Sequence, residues 1–240
     1  MGFNVRQIME IESIGILRTC FGGKFGVPRQ PGLCPSAWGV LEFSEKYRSA
    51  EAVRGLEGFS HVWLIFGFHE TAEQGWHPTV RPPRLGGNER VGVFASRSTF
   101  RPNGLGLSLV KLDRIDFEAH DGWLPPLIHV SGVDLIDGTP IYDVKPYLAY
   151  AESVPDASCG YAAEEILRLR LEIEPAALAA FGSLDPRSQQ VIREVLSLDA
   201  RPAASPKAAE KIYGAELCGR NVRFRVDGET CWVVAVCDLK

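Results

Sequence analysis

The chain has 240 residues, 45% hydrophobic and 23% charged, with a formal net charge of −4 from 26 basic and 30 acidic residues. This size and apolar content allow a sizeable core, in one large domain or a main domain with an appendage, and exclude a wholly disordered chain. No apolar run approaches the ~20 residues needed to span a bilayer, the early Arg6, Glu10 and Glu12 do not fit a secretory signal, and the net charge read alone argues against a nucleic-acid partner.

In chain order, residues 11–18 form a short apolar-rich run that predicts a strand. Residues 20–35 are rich in Gly and Pro and read as a long loop. At its centre, Phe25-Gly26-Val27-Pro28-Arg29-Gln30-Pro31-Gly32 sets two long polar side chains between prolines. Proline fixes φ and restricts the residue before it, so Arg29 and Gln30 sit on stiff backbone suited to binding, with a plain surface connection as the alternative. Residues 45–56 offer at most a short helix. Residues 60–69 (SHVWLIFGFH) are dense in β-branched and aromatic residues and predict a strand. Its two-residue period puts His61, Trp63, Ile65, Gly67 and His69 on one face and Val62, Leu64, Phe66 and Phe68 on the other.

A loop over 75–88, a strand over 91–97, a sharp turn at Arg101-Pro102-Asn103-Gly104 and a strand over 104–116 follow. Gly92, Gly104 and Gly106 lie in or beside these strands, where glycine marks a bulge, a bend or a close backbone approach. Further strands are expected over 127–135 and 141–145. Many strands and no long helix in residues 1–163 predict a mainly β barrel or sandwich. Residues 164–240 read as a small α+β unit. Its elements are a strand over 164–174, a short helix over 175–181 and a helix over 185–198 with Asp185 as N-cap and Pro186 at the first helical position. A loop over 200–209 and a hairpin of 222–226 and 230–236 around Asp227-Gly228 complete it.

The six cysteines form no CxxC pair and read as reduced thiols, with Cys231 and Cys237 packing in a core. The five histidines make neither HxH nor HExxH, so no metal is expected. Gly104-Leu105-Gly106 lacks the third glycine and the helix of a dinucleotide fingerprint, and no Walker A sequence occurs, which disfavours a Rossmann-type enzyme.

Charge is unevenly spread. Residues 13–41 carry +3, residues 81–114 carry +5, residues 200–225 carry +4, and residues 115–165 carry −9. Basic stretches far apart in sequence can converge into one patch or stay as separate solvated faces. Within the second, Arg97 and Arg101 stand four apart with Ser96, Ser98 and Thr99, an anion-competent donor cluster. Within the acidic stretch, Asp134 and Asp137 stand three apart at a strand exit, where they can face a cation, ribose hydroxyls or a proton to be removed. A salt bridge or Asx-turn is the simpler use of either pair.

Residues 25–33 (FGVPRQPGL), 59–70 (FSHVWLIFGFHE), 81–114 (RPPRLGGNERVGVFASRSTFRPNGLGLSLVKLDR) and 133–157 (VDLIDGTPIYDVKPYLAYAESVPDA) closely resemble the TsaA-like family, and within it the TrmO type. Residues 191–202 (VIREVLSLDARP) and the terminal hairpin resemble the TrmO C-terminal part, so the resemblance covers nearly the whole chain. It implies a β-barrel tRNA methyltransferase that uses S-adenosylmethionine, acts as a cytoplasmic homodimer and methylates N6 of N6-threonylcarbamoyladenosine at tRNA position 37, in the anticodon loop. On matching positions, the cofactor contacts implied are Pro28, Arg29, Gln30, His69, Glu70, Arg97, Leu107, Asp134, Leu135, Ile136 and Asp137. Glu70 replaces a glutamine common in relatives, and Gly104-Leu105 a common Pro-Ile.

The implied chemistry suits these residues. Arginine can hold the donor's carboxylate through paired hydrogen bonds, and Asp134 or Asp137 its ammonium or ribose. The acceptor nitrogen lies between a purine and a carbonyl, so its lone pair is delocalised and a general base is expected. Asp137, His69 and Asp134 are the candidates, with Tyr142 and Lys145 assisting. The tRNA contacts expected are Arg201, Lys207, Lys211, Arg220, Arg223 and Arg225, joined by Arg81, Arg84, Arg101 and Asn103. The alternatives are a non-catalytic RNA-binding barrel and a methyltransferase of the same fold acting on another substrate.

Overall fold

A computed structural model describes residues 8–119, 122–201 and 211–239. Strand β1 (Gly15–Thr19) is followed by β2 (Trp38–Phe43) and β3 (His61–Gly67). A ribbon of β4 (Thr79–Val80) and β5 (Val91–Gly92) interrupts the path to β6 (Leu105–Asp116), β7 (Leu127–Ser131) and β8 (Thr139–Pro146). Apart from that ribbon, the strands close into a barrel in the order β1-β2-β7-β6-β3-β8, so the mainly β barrel architecture is present.

Alternation explains the barrel interior. Val62, Leu64 and Phe66 of β3 are buried, as expected, and meet Leu17, Leu41, Val110, Leu112, Ile128, Val130 and Ile141 from the other strands. Burying each such side chain contributes roughly 1.5–3 kcal/mol. Gly106 is the close approach that its sequence position suggested: a Cβ there would lie 2.2 Å from the Phe66 ring.

After the short helix α1 (Ala149–Glu152) come β9 (Arg170–Ile173), α2 (Leu178–Gly182), α3 (Pro186–Ser197), β10 (Tyr213–Leu217), β11 (Arg220–Asp227) and β12 (Thr230–Asp238). The last three strands and β9 form a second sheet in the order β10-β11-β12-β9. Asp185 caps α3 by accepting from Ser188 N at 3.0 Å, with Pro186 at the first position. Val191, Ile192, Val195 and Leu196 line its buried face. A single apolar cluster runs from the barrel through α3 into this sheet.

Several expectations are corrected. β2 and β10 were not foreseen. The strand expected over 91–97 stops at Gly92, because residues 93–95 turn as a 3-10 helix and Arg101 donates to the carbonyls of Val93 and Ser96 at 3.3 and 2.9 Å. The strand expected over 164–174 begins only at Arg170, where pairing with β12 starts. Residues 45–56 make 3-10 turns, and Cys237 is exposed rather than in the core. The loop expected over 200–209 falls mostly outside the described residues.

Glu194 of α3 fastens this helix to the barrel. Its carboxylate accepts from Ser36 N and Ser36 Oγ at 2.9 Å each and from Cys34 Sγ at 3.1 Å. Burial opposes its ionisation, but donors from Gln190, Ser36 and Cys34 outweigh it and hold the carboxyl below the ordinary glutamate value. Such stabilisation is present above the unfolded pKa and lost as pH falls through the lowered folded value. Glu194→Ala is expected to lower unfolding free energy by about 2–3 kcal/mol in urea titrations at pH 7, with the gap to the parent narrowing towards pH 3.

Candidate active site

Four segments converge at one rim of the barrel. The first is the loop after β1, whose proline-fixed centre lies against the loop after β7 through Gly32 N donating to Gly132 O at 2.8 Å. The second is the end of β3, where Phe68 N donates to Gly104 O at 2.8 Å. The third is the excursion between β3 and β6, and the fourth is the acidic loop between β7 and β8.

Side chains join these segments. Arg97 donates through Nη1 to Gln30 Oε1 at 2.5 Å, so two positions 67 apart in sequence meet. Lys24 lies 3.3 Å from Glu70 Oε2, and His69 Nε2 lies 3.7 Å from Glu70 Oε1. Glu70 thus links the first loop to the end of β3. Pro28 is buried and Arg29 exposed.

The two aspartates differ. Asp137 is bound into the frame: its Oδ1 accepts from Thr19 N at 2.9 Å, its own N donates to Phe21 O at 2.8 Å, and Arg18 Nη1 lies 3.7 Å from Oδ2. Between them, Leu135 O accepts from Thr19 Oγ1 at 2.9 Å and Ile136 O from Thr139 Oγ1 at 2.6 Å. Asp134 instead meets buried Ser108 of β6, whose Oγ donates to its Oδ1 at 2.6 Å. Burial pushes the Asp134 carboxyl up to about 6, against the opposing pull of Ser108 and the positive field of Arg97. Ser108 was missed in the sequence, although a serine inside the apolar run Leu107-Ser108-Leu109-Val110 was a visible signal.

Leu107 is 53% exposed on the outer face of the barrel, beside half-buried Ile65 and Leu109. Tyr142 packs on Gly67, where a Cβ would lie 2.9 Å from its ring. Lys145 sits further along β8, opposite Trp63 and away from the rim.

The basic residues fall into two groups. Arg84 donates to the carbonyls of Ala162 and Glu164 at 2.6 and 3.0 Å, and Arg101 holds its own loop as described. Arg201 pairs with Asp199 at 2.7 Å, Arg225 with Glu174 at 3.0 Å, and Arg220 with Asp238. Lys211 lies over the Tyr213 ring. Arg81 and Arg223 are exposed and take part in no ion pair among the described residues, as does Asn103 in its turn. Lys207 lies outside the described residues. Among the described residues, no group of three His, Cys, Asp or Glu is placed to hold a metal ion, and no helix is long and apolar enough to cross a membrane.

Comparison with known proteins gives a consistent picture. The model of the tRNA-methyltransferase O N-terminal domain matches residues 16–153, and that of the TrmO C-terminal domain matches residues 167–239. A tRNA (adenine(37)-N6)-methyltransferase of Escherichia coli (strain K12) is 49% identical over 226 residues, covering 90% of this chain and 93% of its own. A human protein of the same name is 41% identical over 144 residues, 59% of this chain and 31% of its own. The crystal structure of TrmO from Pseudomonas aeruginosa superposes with a TM-score of 0.77 at 33% identity, covering 96% of this chain and 99% of that one.

The Arg84 geometry makes a specific claim. If it is a clamp on the backbone near residue 163, Arg84→Ala is expected to accelerate amide hydrogen exchange across residues 160–166 while β3 and β6 stay protected. Unchanged exchange there would show that the contact holds nothing in place.

Proposed function

Because the chain belongs to the TrmO family of tRNA methyltransferases, we propose that it methylates N6 of adenine 37 in tRNA from S-adenosylmethionine, with N6-threonylcarbamoyladenosine as the form it accepts. The observation that carries the reading is the meeting of the Gln30–Arg97 pair with half-buried Asp134 at one barrel rim.

The residues present fit the cofactor. Arg97 and exposed Arg29 supply donors for a carboxylate, Gln30 orients Arg97, and His69 and Glu70 offer acceptors for an ammonium or ribose. When bound, S-adenosylmethionine supplies an electrophilic methyl group on a sulfonium. The chain's task is to align N6 with that methyl and remove the N6 proton. Asp134 suits the second role: its pKa of about 6 leaves it mostly ionised at neutral pH yet basic enough to accept a proton. Asp137, committed to Thr19 N and Phe21 O, maintains the loop that carries Asp134.

We assign residues 1–163 to cofactor binding and chemistry, and residues 164–240 a share of tRNA binding. Exposed Arg81 and Arg223 and the exposed side of the excursion offer contacts to anticodon-loop phosphates. The outer face of Leu107, Ile65 and Leu109 suits a second copy of the chain in a homodimer. Cytoplasmic tRNA is the substrate pool this reading requires.

Mass spectrometry of nucleosides tests it. tRNA carrying threonylcarbamoyladenosine, incubated with protein and S-adenosylmethionine, should gain one methyl on that nucleoside. Cofactor binding in calorimetry without any such product would favour another substrate, and no cofactor binding would favour a non-catalytic RNA-binding barrel. Asp134→Asn should lower turnover by roughly 10²–10⁴-fold with cofactor affinity retained. In binding titrations, Arg81→Glu with Arg223→Glu should weaken tRNA affinity and lower its salt slope by about two. Unchanged affinity and slope would move the RNA surface elsewhere.

A further inference from the structure

We propose that Ser108 is a positioning residue for methyl transfer, fixing the Asp134 carboxylate so that Oδ2 meets the N6 proton. The inference rests on the reading of Asp134 as the base.

Ser108 stands on β6 opposite Leu64 and is buried. Its inward row continues with Val110 and Leu112, both apolar and buried. A hydroxyl at such a position is costly unless it is hydrogen-bonded, and Ser108 Oγ has one acceptor, Asp134 Oδ1 at 2.6 Å, 26 residues away on the acidic loop. The short contact joins a rigid barrel strand to the loop that carries the base. A site held from a strand is positioned more tightly than one left to its loop. Oδ1 is thereby committed to Ser108, and Asp134's own backbone N–H adds a second hold on the carboxylate.

The same bond sets when the base is ionised. A donor to the charged carboxylate favours that form, and Ser108 lowers a pKa that burial raises. Arg97, from the excursion, acts in the same direction. Asp137, on the same loop, is turned to Thr19 and Arg18. Removing the hydroxyl therefore raises the pKa, and activity is lost chiefly at low pH.

The test is the pH profile of kcat/KM for methyl transfer to tRNA, with cofactor affinity and Tm measured alongside. Ser108→Ala should move the acidic limb upward by roughly one to two pH units, so that most of the lost activity returns by pH 9. Ser108→Thr, which keeps the hydroxyl, should restore the parent profile. If the added methyl unfolds the barrel, Ser108→Cys, a weaker donor of similar size, should give an intermediate shift. In an Asp134→Asn background, Ser108→Ala should cost nothing further. A loss equal at every pH, an unchanged profile, or a tenfold loss of cofactor affinity without a shift would overturn the positioning role. Full turnover by Asp134→Asn would instead sink the base assignment itself.

Discussion

The seam between β1 and β8 is the constraint on which the rest of the molecule depends. These strands share only three registered pairs, from Gly15 opposite Ile141 to Leu17 opposite Thr139. Beyond them the acidic loop takes over the closure. Gly138 N donates to Leu17 O at 3.0 Å, Asp137 N to Phe21 O at 2.8 Å, Thr19 N to Asp137 Oδ1 at 2.9 Å, and Thr19 Oγ1 to Leu135 O at 2.9 Å. A loop that closes a barrel cannot also drift, because each lost bond would leave a buried backbone group unpaired. Asp134 inherits its position from this seam, with Ser108 fixing it from the opposite side.

The residues just after β1 carry the second sheet. Phe21 bridges to Leu217, Cys218 N donates to Cys20 O at 2.8 Å, and Gly22 N donates to Glu216 O at 3.2 Å. Residues 19–22 thus bond the acidic loop on one side and β10 on the other. Glu194 adds the helix through Ser36 and Cys34. Two units that the sequence presents as consecutive share one apolar core and one stretch of backbone, so displacement of the tail sheet would be felt at the rim.

Local signals account for what could be read in advance. The apolar period of β3, the Asp185-Pro186 start of α3 and the Asp227-Gly228 turn are each decided by a few neighbouring residues. β2 was hidden because Trp38-Gly39-Val40-Leu41 shows no alternation: Gly39, Val40 and Leu41 are all buried, between β1 and β7. β10 buries Tyr213, Ala215 and Leu217 and exposes Gly214 and Glu216, but Gly214 and Ala215 are poor strand formers and masked that alternation. The overlong strand at 91–97 failed because Arg101, several positions later, takes its carbonyls. The candidate site was legible as a set of residues, since the motifs contain Gln30, Arg97 and both aspartates. What motifs could not show was how differently Asp134 and Asp137 are held, through contacts across 26 and 118 positions.

Pairing also refines what the charge segments mean for RNA. Five expected contacts, Arg84, Arg101, Arg201, Arg220 and Arg225, already hold carbonyls or carboxylates. An exposed ion pair is worth about 0–1 kcal/mol, so a phosphate can displace a carboxylate at little direct cost. The displaced carboxylate nevertheless stays close and repels the phosphate, and the net gain is small. Attraction therefore falls chiefly on cations without such partners: Arg81 and Arg223 on the flanks, and Arg29 at the rim. On the proposed reading, a net charge of −4 with several of the expected cations already engaged among the described residues implies weak general attraction to RNA. On that reading, discrimination then falls to the rim, where half-buried Asp134 would engage a substrate that brings its N6 proton within reach.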